Sequence, residues 1–136
     1  MTLSLDANVL IDLVNARNSA VRARYDEVLI SGSPTVISAL VAEELTFGAL
    51  VSRRPEFQIA TARAILANHP IEDWTAEDAY AAARVRAQLH RAGKSIGSYD
   101  TLIAGQALNR GWTVVTANTR EFGRVEGLQV VDWTRG

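Results

Sequence analysis

The chain has 136 residues, 48% of them apolar and 21% charged, with a formal net charge of −1. This length and balance suit one compact globular domain spanning the whole chain. The lack of cysteine excludes a disulfide framework and any thiolate metal site, and no apolar run approaches the ~18 residues of a membrane span.

The N-terminal MTLSLDANVLIDLV has no basic leader, and Asp6, Asn8 and Asp12 interrupt its apolar run. It therefore does not read as a signal peptide, and a cytoplasmic, membrane-free location is expected. Every basic residue except Lys94 is Arg. Arg offers a planar fork that suits phosphate; a GC-rich coding sequence accounts for the bias equally well.

In chain order, Leu3–Leu5 predicts a first strand ending at Asp6, with a helix over 7–14 and a second over 19–31 closed by Gly32. Residues 34–37 (PTVI) read as the second strand, and Ser38 as the cap of a helix running to about Val51. Pro55 opens a helix that ends near Asn68, and 69–73 reads as a short third strand. Thr75 and Asp78 have capping-box spacing ahead of a helix whose face is Ala79, Ala82, Val85 and Leu89, ended by Gly93. Ser98 is expected to cap a helix from Tyr99 to Arg110, with Gly111 as terminator. Two β-rich segments close the chain, 112–116 (WTVVT) and 128–131 (LQVV). Strands alternating with helices predict an α/β domain with a parallel sheet of four to five strands, covered on both faces.

Four acids, Asp6, Glu44, Asp100 and Glu121, fall where a strand passes into a helix or one turn inside that helix. In a parallel α/β domain these junctions gather at one sheet edge, where ligands bind. Carboxylates crowded there repel one another, and a hard divalent cation with oxygen ligands relieves the repulsion. This points to metal-assisted chemistry on a phosphate ester.

Each acid also has a plainer explanation. Asp6 suits an N-cap, and Asp100 suits the first turn of a helix, where the dipole favours it. Glu121 reads as a loop residue beyond the strand, with Thr116 and Asn118 before it and Asn118 competing for the fourth position. Glu44 is the anomaly. On a helical projection it falls inside the apolar stripe of Val41, Leu45 and Gly48, whereas Glu43 points to the opposite side. A carboxylate there is costly unless paired or metal-bound. Gly48 suggests close backbone approach.

The segments LDANVLIDL, ISALVAEELTFGAL, IGSYDTLIAGQAL and VVTANTREFGRVEGLQVVDW resemble the PIN-domain ribonucleases, in particular the VapC-type toxins of bacterial toxin–antitoxin pairs. The resemblance covers nearly the whole chain in order. It implies a three-layer α/β/α fold and a metal-dependent endoribonuclease acting on structured RNA such as tRNA or rRNA. Asp6, Glu44 (in Glu44-Leu45-Thr46-Phe47-Gly48) and Asp100 match the family's acids and would hold Mg²⁺ or Mn²⁺, directly or through water. Glu121 is the candidate fourth catalytic acid; Asn118, Thr116 and Asn8 would support the site. An Asn at the fourth position could hold a metal-bound water but could not act as a base. The resemblance further implies a homodimer and a small DNA-binding antitoxin of the VapB type, whose C-terminal tail reaches the carboxylates with a basic side chain. Leu10, Ile11, Leu13 and Val14 leave the first helix apolar on more than one face, through deep burial or cover by another chain.

The alternatives fit less well. A phosphoacceptor receiver domain needs an acidic pair after the first strand, and a haloacid-dehalogenase-type phosphatase needs Asp-x-Asp where this chain has Asp6-Ala7-Asn8. A PIN-like scaffold that binds RNA or a partner without cutting remains the non-enzymatic alternative.

Overall fold

The computed structural model describes residues 1–135. Its elements are β1 (Leu3–Leu5), α1 (Ala7–Asn15), α2 (Ser19–Ser31), β2 (Thr35–Ser38), α3 (Ala39–Leu50), α4 (Pro55–Leu66), β3 (Ile71–Glu72), α5 (Ala76–Arg91), α6 (Ser98–Arg110), β4 (Thr113–Val115), α7 (Thr119–Phe122) and β5 (Val130–Val131). The five strands form one sheet in the order β3-β2-β1-β4-β5, and every pairing is parallel.

β1 is central, and its three residues are buried, as are the three of β4 beside it. Continuous burial of this kind is expected of strands covered on both faces. Right-handed crossovers put α1 to α4 on one face and α5 with α6 on the other. The packing agrees, because α3 lies against α4 and α1, and α5 lies along α6. From β1 the chain winds outward to β2 and β3, and then crosses back to β4 and β5 on the other side. The reversal between β1 and β4 opens a crevice at their C-terminal ends.

Local chemistry sets most boundaries. Asp6, Asn18 and Ser38 cap α1, α2 and α3 with side-chain oxygens that accept backbone N–H groups. Thr75 and Asp78 complete the expected capping box on α5. Gly32 and Gly111 end their helices in the left-handed region, at φ 72° and 70°.

Three expectations need correction. Ser98 does not cap α6: Gly97, already extended, takes the cap position, and Ser98 is the first helical residue. Thr119–Phe122 forms a single helical turn where a loop was expected. Gly48 is exposed, and a Cβ there would meet nothing within 4 Å. The buried stripe of α3 is Val41, Leu45 and Ala49, so the helix drifts past Gly48 toward solvent and the glycine serves no close approach.

The close approach lies elsewhere. A Cβ on Gly105 of α6 would stand 2.3 Å from the Ala82 Cα of α5. One turn further along the same helix pair Asp78, fully buried, accepts from Gln106 Nε2 (3.1 Å), Asn109 Nδ2 (2.9 Å), and Arg110 Nε (3.1 Å) and Nη2 (3.0 Å). Among the described residues no helix is long and apolar enough to cross a membrane.

Candidate active site

The crevice at the C-terminal ends of β1 and β4 gathers all seven residues singled out in the sequence. Asp6 leaves β1 and is 5% exposed. Its Oδ1 accepts the Ala7 N–H (2.9 Å), which caps α1, and its Oδ2 accepts from Thr116 Oγ1 (2.8 Å) and Asn8 Nδ2 (3.0 Å). The cap reading and the site reading of Asp6 are thus both satisfied by one carboxylate with two oxygens.

Thr116, just past β4 and fully buried, is the hub. Besides donating to Asp6, its hydroxyl accepts from Asn8 Nδ2 (2.9 Å) and from the Asn118 backbone N–H (3.0 Å). Asn8 Oδ1 accepts the Ala117 N–H (3.0 Å), which locks the segment after β4 against the start of α1. Asn118 Nδ2 then donates to Asp100 Oδ2 (2.9 Å) and Glu121 Oε2 (2.8 Å). One continuous chain of hydrogen bonds therefore runs from Asp6 through Thr116 and Asn118 to Asp100 and Glu121. The Asn118 amide thus bridges the two acids.

Glu44 reaches the cluster from α3 and differs from the others. Its Oε1 is buried and has no hydrogen-bond partner. Burial, then the charges of Asp6, Asp100 and Glu43, push its carboxyl up to about 7. Burial also raises Asp6, against the hydrogen bonds from Thr116, Ala7 and Asn8. Asp100 is raised first by burial, then by its bond with Glu121 and by the charges of Asp6 and Glu121. Glu121 moves the other way, held down by Asn118 and Asp100. The group as a whole has more negative charge than its own donors neutralise.

These residues fit a divalent cation on their chemistry. Their ligating atoms are all oxygens, one buried acceptor lacks a donor, and each of the three inner acids is raised, first of all by burial. As placed, no three His, Cys, Asp or Glu side chains among the described residues stand together as a ready ligand set. Mg²⁺ retains several waters between itself and protein, so such a site does not need three direct side-chain ligands.

One contact at the rim was not legible in the sequence. Tyr99 Oη donates to Glu43 Oε1 (3.0 Å), which ties the first turn of α6 to α3 across the mouth of the site. The only hint was adjacency, since Tyr99 precedes Asp100 and Glu43 precedes Glu44.

On α1, Val9, Leu10 and Leu13 are buried. Ile11 and Val14 line a groove of about 220 Å³ with Leu45, Ala49 and Ala62.

A five-stranded parallel sheet with acids converging at the β1/β4 reversal defines an α/β domain with an acidic site at the carboxyl edge of its sheet. The PIN domain family matches residues 3–128, and the chain belongs to that family. It is 35% identical to a tRNA(fMet)-specific endonuclease VapC of Shigella flexneri, over 96% of each chain. Among solved structures, it resembles a DNA-bound VapBC of Salmonella typhimurium (TM-score 0.89, 32% identity, 98% of each chain). It also resembles the DNA-bound VapBC2 of Rickettsia felis (TM-score 0.90, 28% identity, 98% of this chain and 99% of that one).

Proposed function

We propose that this chain is a metal-dependent endoribonuclease and the toxin of a type II toxin–antitoxin pair. The single observation that carries this reading is the connected acid cluster, in which Glu44 keeps a buried oxygen without a donor. The relatives named as ribonucleases and the VapBC complexes of like fold supply the substrate class and the partner. Structured RNA is the proposed substrate, with tRNA the first to try because of the name carried by the Shigella flexneri relative. The retained acids weigh against a scaffold that binds without cutting.

Asp6, Glu44 and Asp100 would hold Mg²⁺ or Mn²⁺, in part through water. The cation, when bound, supplies Lewis acidity toward the scissile phosphate and lowers the pKa of a bound water. The chain's own residues do the positioning. Thr116 and Asn8 hold the Asp6 carboxylate in one orientation. Asn118 fixes Asp100 relative to Glu121. Glu121, ionised and tied to Asp100 through Asn118, would orient the attacking water. In-line attack on phosphorus would leave 5′-phosphate and 3′-hydroxyl ends.

The unbalanced negative charge also suits a basic side chain from an antitoxin tail, which would occupy the cluster and stop cleavage. A homodimer of the chain is proposed on the family resemblance.

The experiment is cleavage of tRNA with Mg²⁺ or Mn²⁺ by the unaltered protein, Asp6→Asn and Asp100→Asn. Loss of at least a hundredfold in both variants is expected, by the scale of a removed electrostatic group, ~10²–10³. Undiminished cleavage by both variants ends the proposal.

A further inference from the structure

We propose that Tyr99 is a stacking platform for one unpaired RNA base at the lip of the site, with Glu43 holding the ring in place. The inference rests on the ribonuclease reading above and adds to it a subsite for a nucleobase.

Three observations lead there. The first is position. Tyr99 is 37% exposed in the first turn of α6, next to Asp100. A nucleotide whose phosphate lies over Asp100 has its base within reach of this ring.

The second is orientation. The tyrosine hydroxyl donates to Glu43 Oε1 at 3.0 Å. Glu43 is exposed, and a hydrogen bond of this kind in water contributes little to stability. What it does is restrict the ring, so that less rotamer freedom is lost when a base settles on it. Tyr suits this role, being a large rigid surface with only two side-chain torsions.

The third is the uneven charge of the rim. On the α3–α6 side stand Glu43 and Glu44, which repel a phosphate. On the α7 side stands Arg124, whose Nη1 donates to Ser95 O (3.1 Å) and whose charge helps hold Glu121 down. Arg120 on α7 and Lys94, the residue before Ser95, are exposed as well. The phosphates of a bound strand are therefore drawn to the α7 side. The part of a nucleotide that Glu43 does not repel is the uncharged face of its base. Single-stranded RNA is commonly read by aromatic side chains that stack splayed-out bases.

The test uses the full chain with Ca²⁺ in place of Mg²⁺ to slow cutting. The probes are short single-stranded RNAs with 2-aminopurine moved through the sequence, and the same RNAs with an abasic nucleotide instead. One 2-aminopurine position should be quenched on binding to the unaltered protein and to Tyr99→Phe. Tyr99→Ala should lose that quench and bind about tenfold more weakly, the low end of base–aromatic stacking. With the abasic RNA the unaltered protein and Tyr99→Ala should bind alike, a result that general loosening of α6 would not produce. Thermal melting of Tyr99→Ala checks that it folds. Full quench and unchanged affinity in Tyr99→Ala would overturn the platform while cleavage by the unaltered protein kept the nuclease reading. An abasic penalty that simply adds to the Tyr99→Ala penalty would overturn it too. Failure of the unaltered protein to bind or cut any RNA would overturn both.

Discussion

Glu44 has the least support of any acid in the molecule. Its buried oxygen has no donor, and three neighbouring carboxylates raise its pKa to about 7 after burial has done so. A neutral isostere removes that repulsion. Glu44→Gln is therefore expected to stabilise the metal-free protein at pH 8 by roughly 1 kcal/mol after discounting for solvent screening, read as a higher melting temperature. The same variant should abolish cleavage. A lower melting temperature would show that Glu44 is better satisfied than its geometry indicates. Thr116 is the opposite case, a neutral side chain on which three others depend. Thr116→Val leaves Asp6 Oδ2, Asn8 Nδ2 and the Asn118 N–H each short of a partner. A loss of about 2 kcal/mol in urea unfolding is expected, the scale of a buried group left unsatisfied. Thr116→Ser should recover most of it, because the hydroxyl returns.

The elements behave according to whether their partners are near or far in the chain. The Asp6, Ser38 and Thr75 caps were readable because the backbone N–H groups that donate to them lie within three residues. Glu44 could be told from Glu43 because a helical stripe is a local property, and the structure agrees: Glu43 is exposed and Glu44 half-buried. Gly48 misled because Ala49 continues the stripe as well by period, and only packing against the neighbouring helices decides between them. The Asp78 cluster was half legible. Its capping box is local, but its bonds to Asn109 and Arg110 span more than 30 residues. The contacts of His69, whose ring nitrogens meet Tyr25 Oη (2.8 Å) and Thr35 Oγ1 (2.7 Å), were not legible, because both partners lie more than 30 residues away.

The α5–α6 pair yields two tests. Gly105→Ala puts a methyl into the Ala82 backbone, so a loss of about 3 kcal/mol is expected in denaturant unfolding, the upper end of overpacking. Asp78 sets an acid limit. Burial pushes its carboxyl up, but bonds from Arg110, Asn109 and the Thr75 backbone, with the Arg110 charge, win and hold it at about 2, below the usual 3.8. A lowered carboxylate stabilises the fold above its unfolded pKa, and that contribution fades as pH falls toward the folded one. Asp78→Asn should therefore cost about 2 kcal/mol at pH 7, with the difference from the unaltered protein vanishing between about pH 4 and pH 2. A pH-independent difference would show that shape, not charge, matters at that position.

At the scale of the whole molecule, the fold holds like charges together at one edge of the sheet and leaves them to be neutralised from outside. Any cation that binds there stabilises the native state by mass action. Mn²⁺ at a hundred times its dissociation constant should add about 2.7 kcal/mol, read as a rise in melting temperature. Asp6→Asn should show little of that rise. The parallel layout, with acids at its reversal, followed from the alternation of strands and helices. The bridging of Asp100 to Glu121 by Asn118 did not, because it depends on side-chain geometry around a one-turn helix.

The central position of β1 bears on how such a chain is born. The first strand made pairs with β4, and the Asp6 carboxylate waits for a hydroxyl 110 residues downstream. A ribosome part-way through this message thus carries an Asp6 with neither Thr116 nor Asp100 beside it. The growing polypeptide therefore cannot assemble its acid cluster until almost the last of its sheet emerges, and the cluster is a property of the finished chain alone.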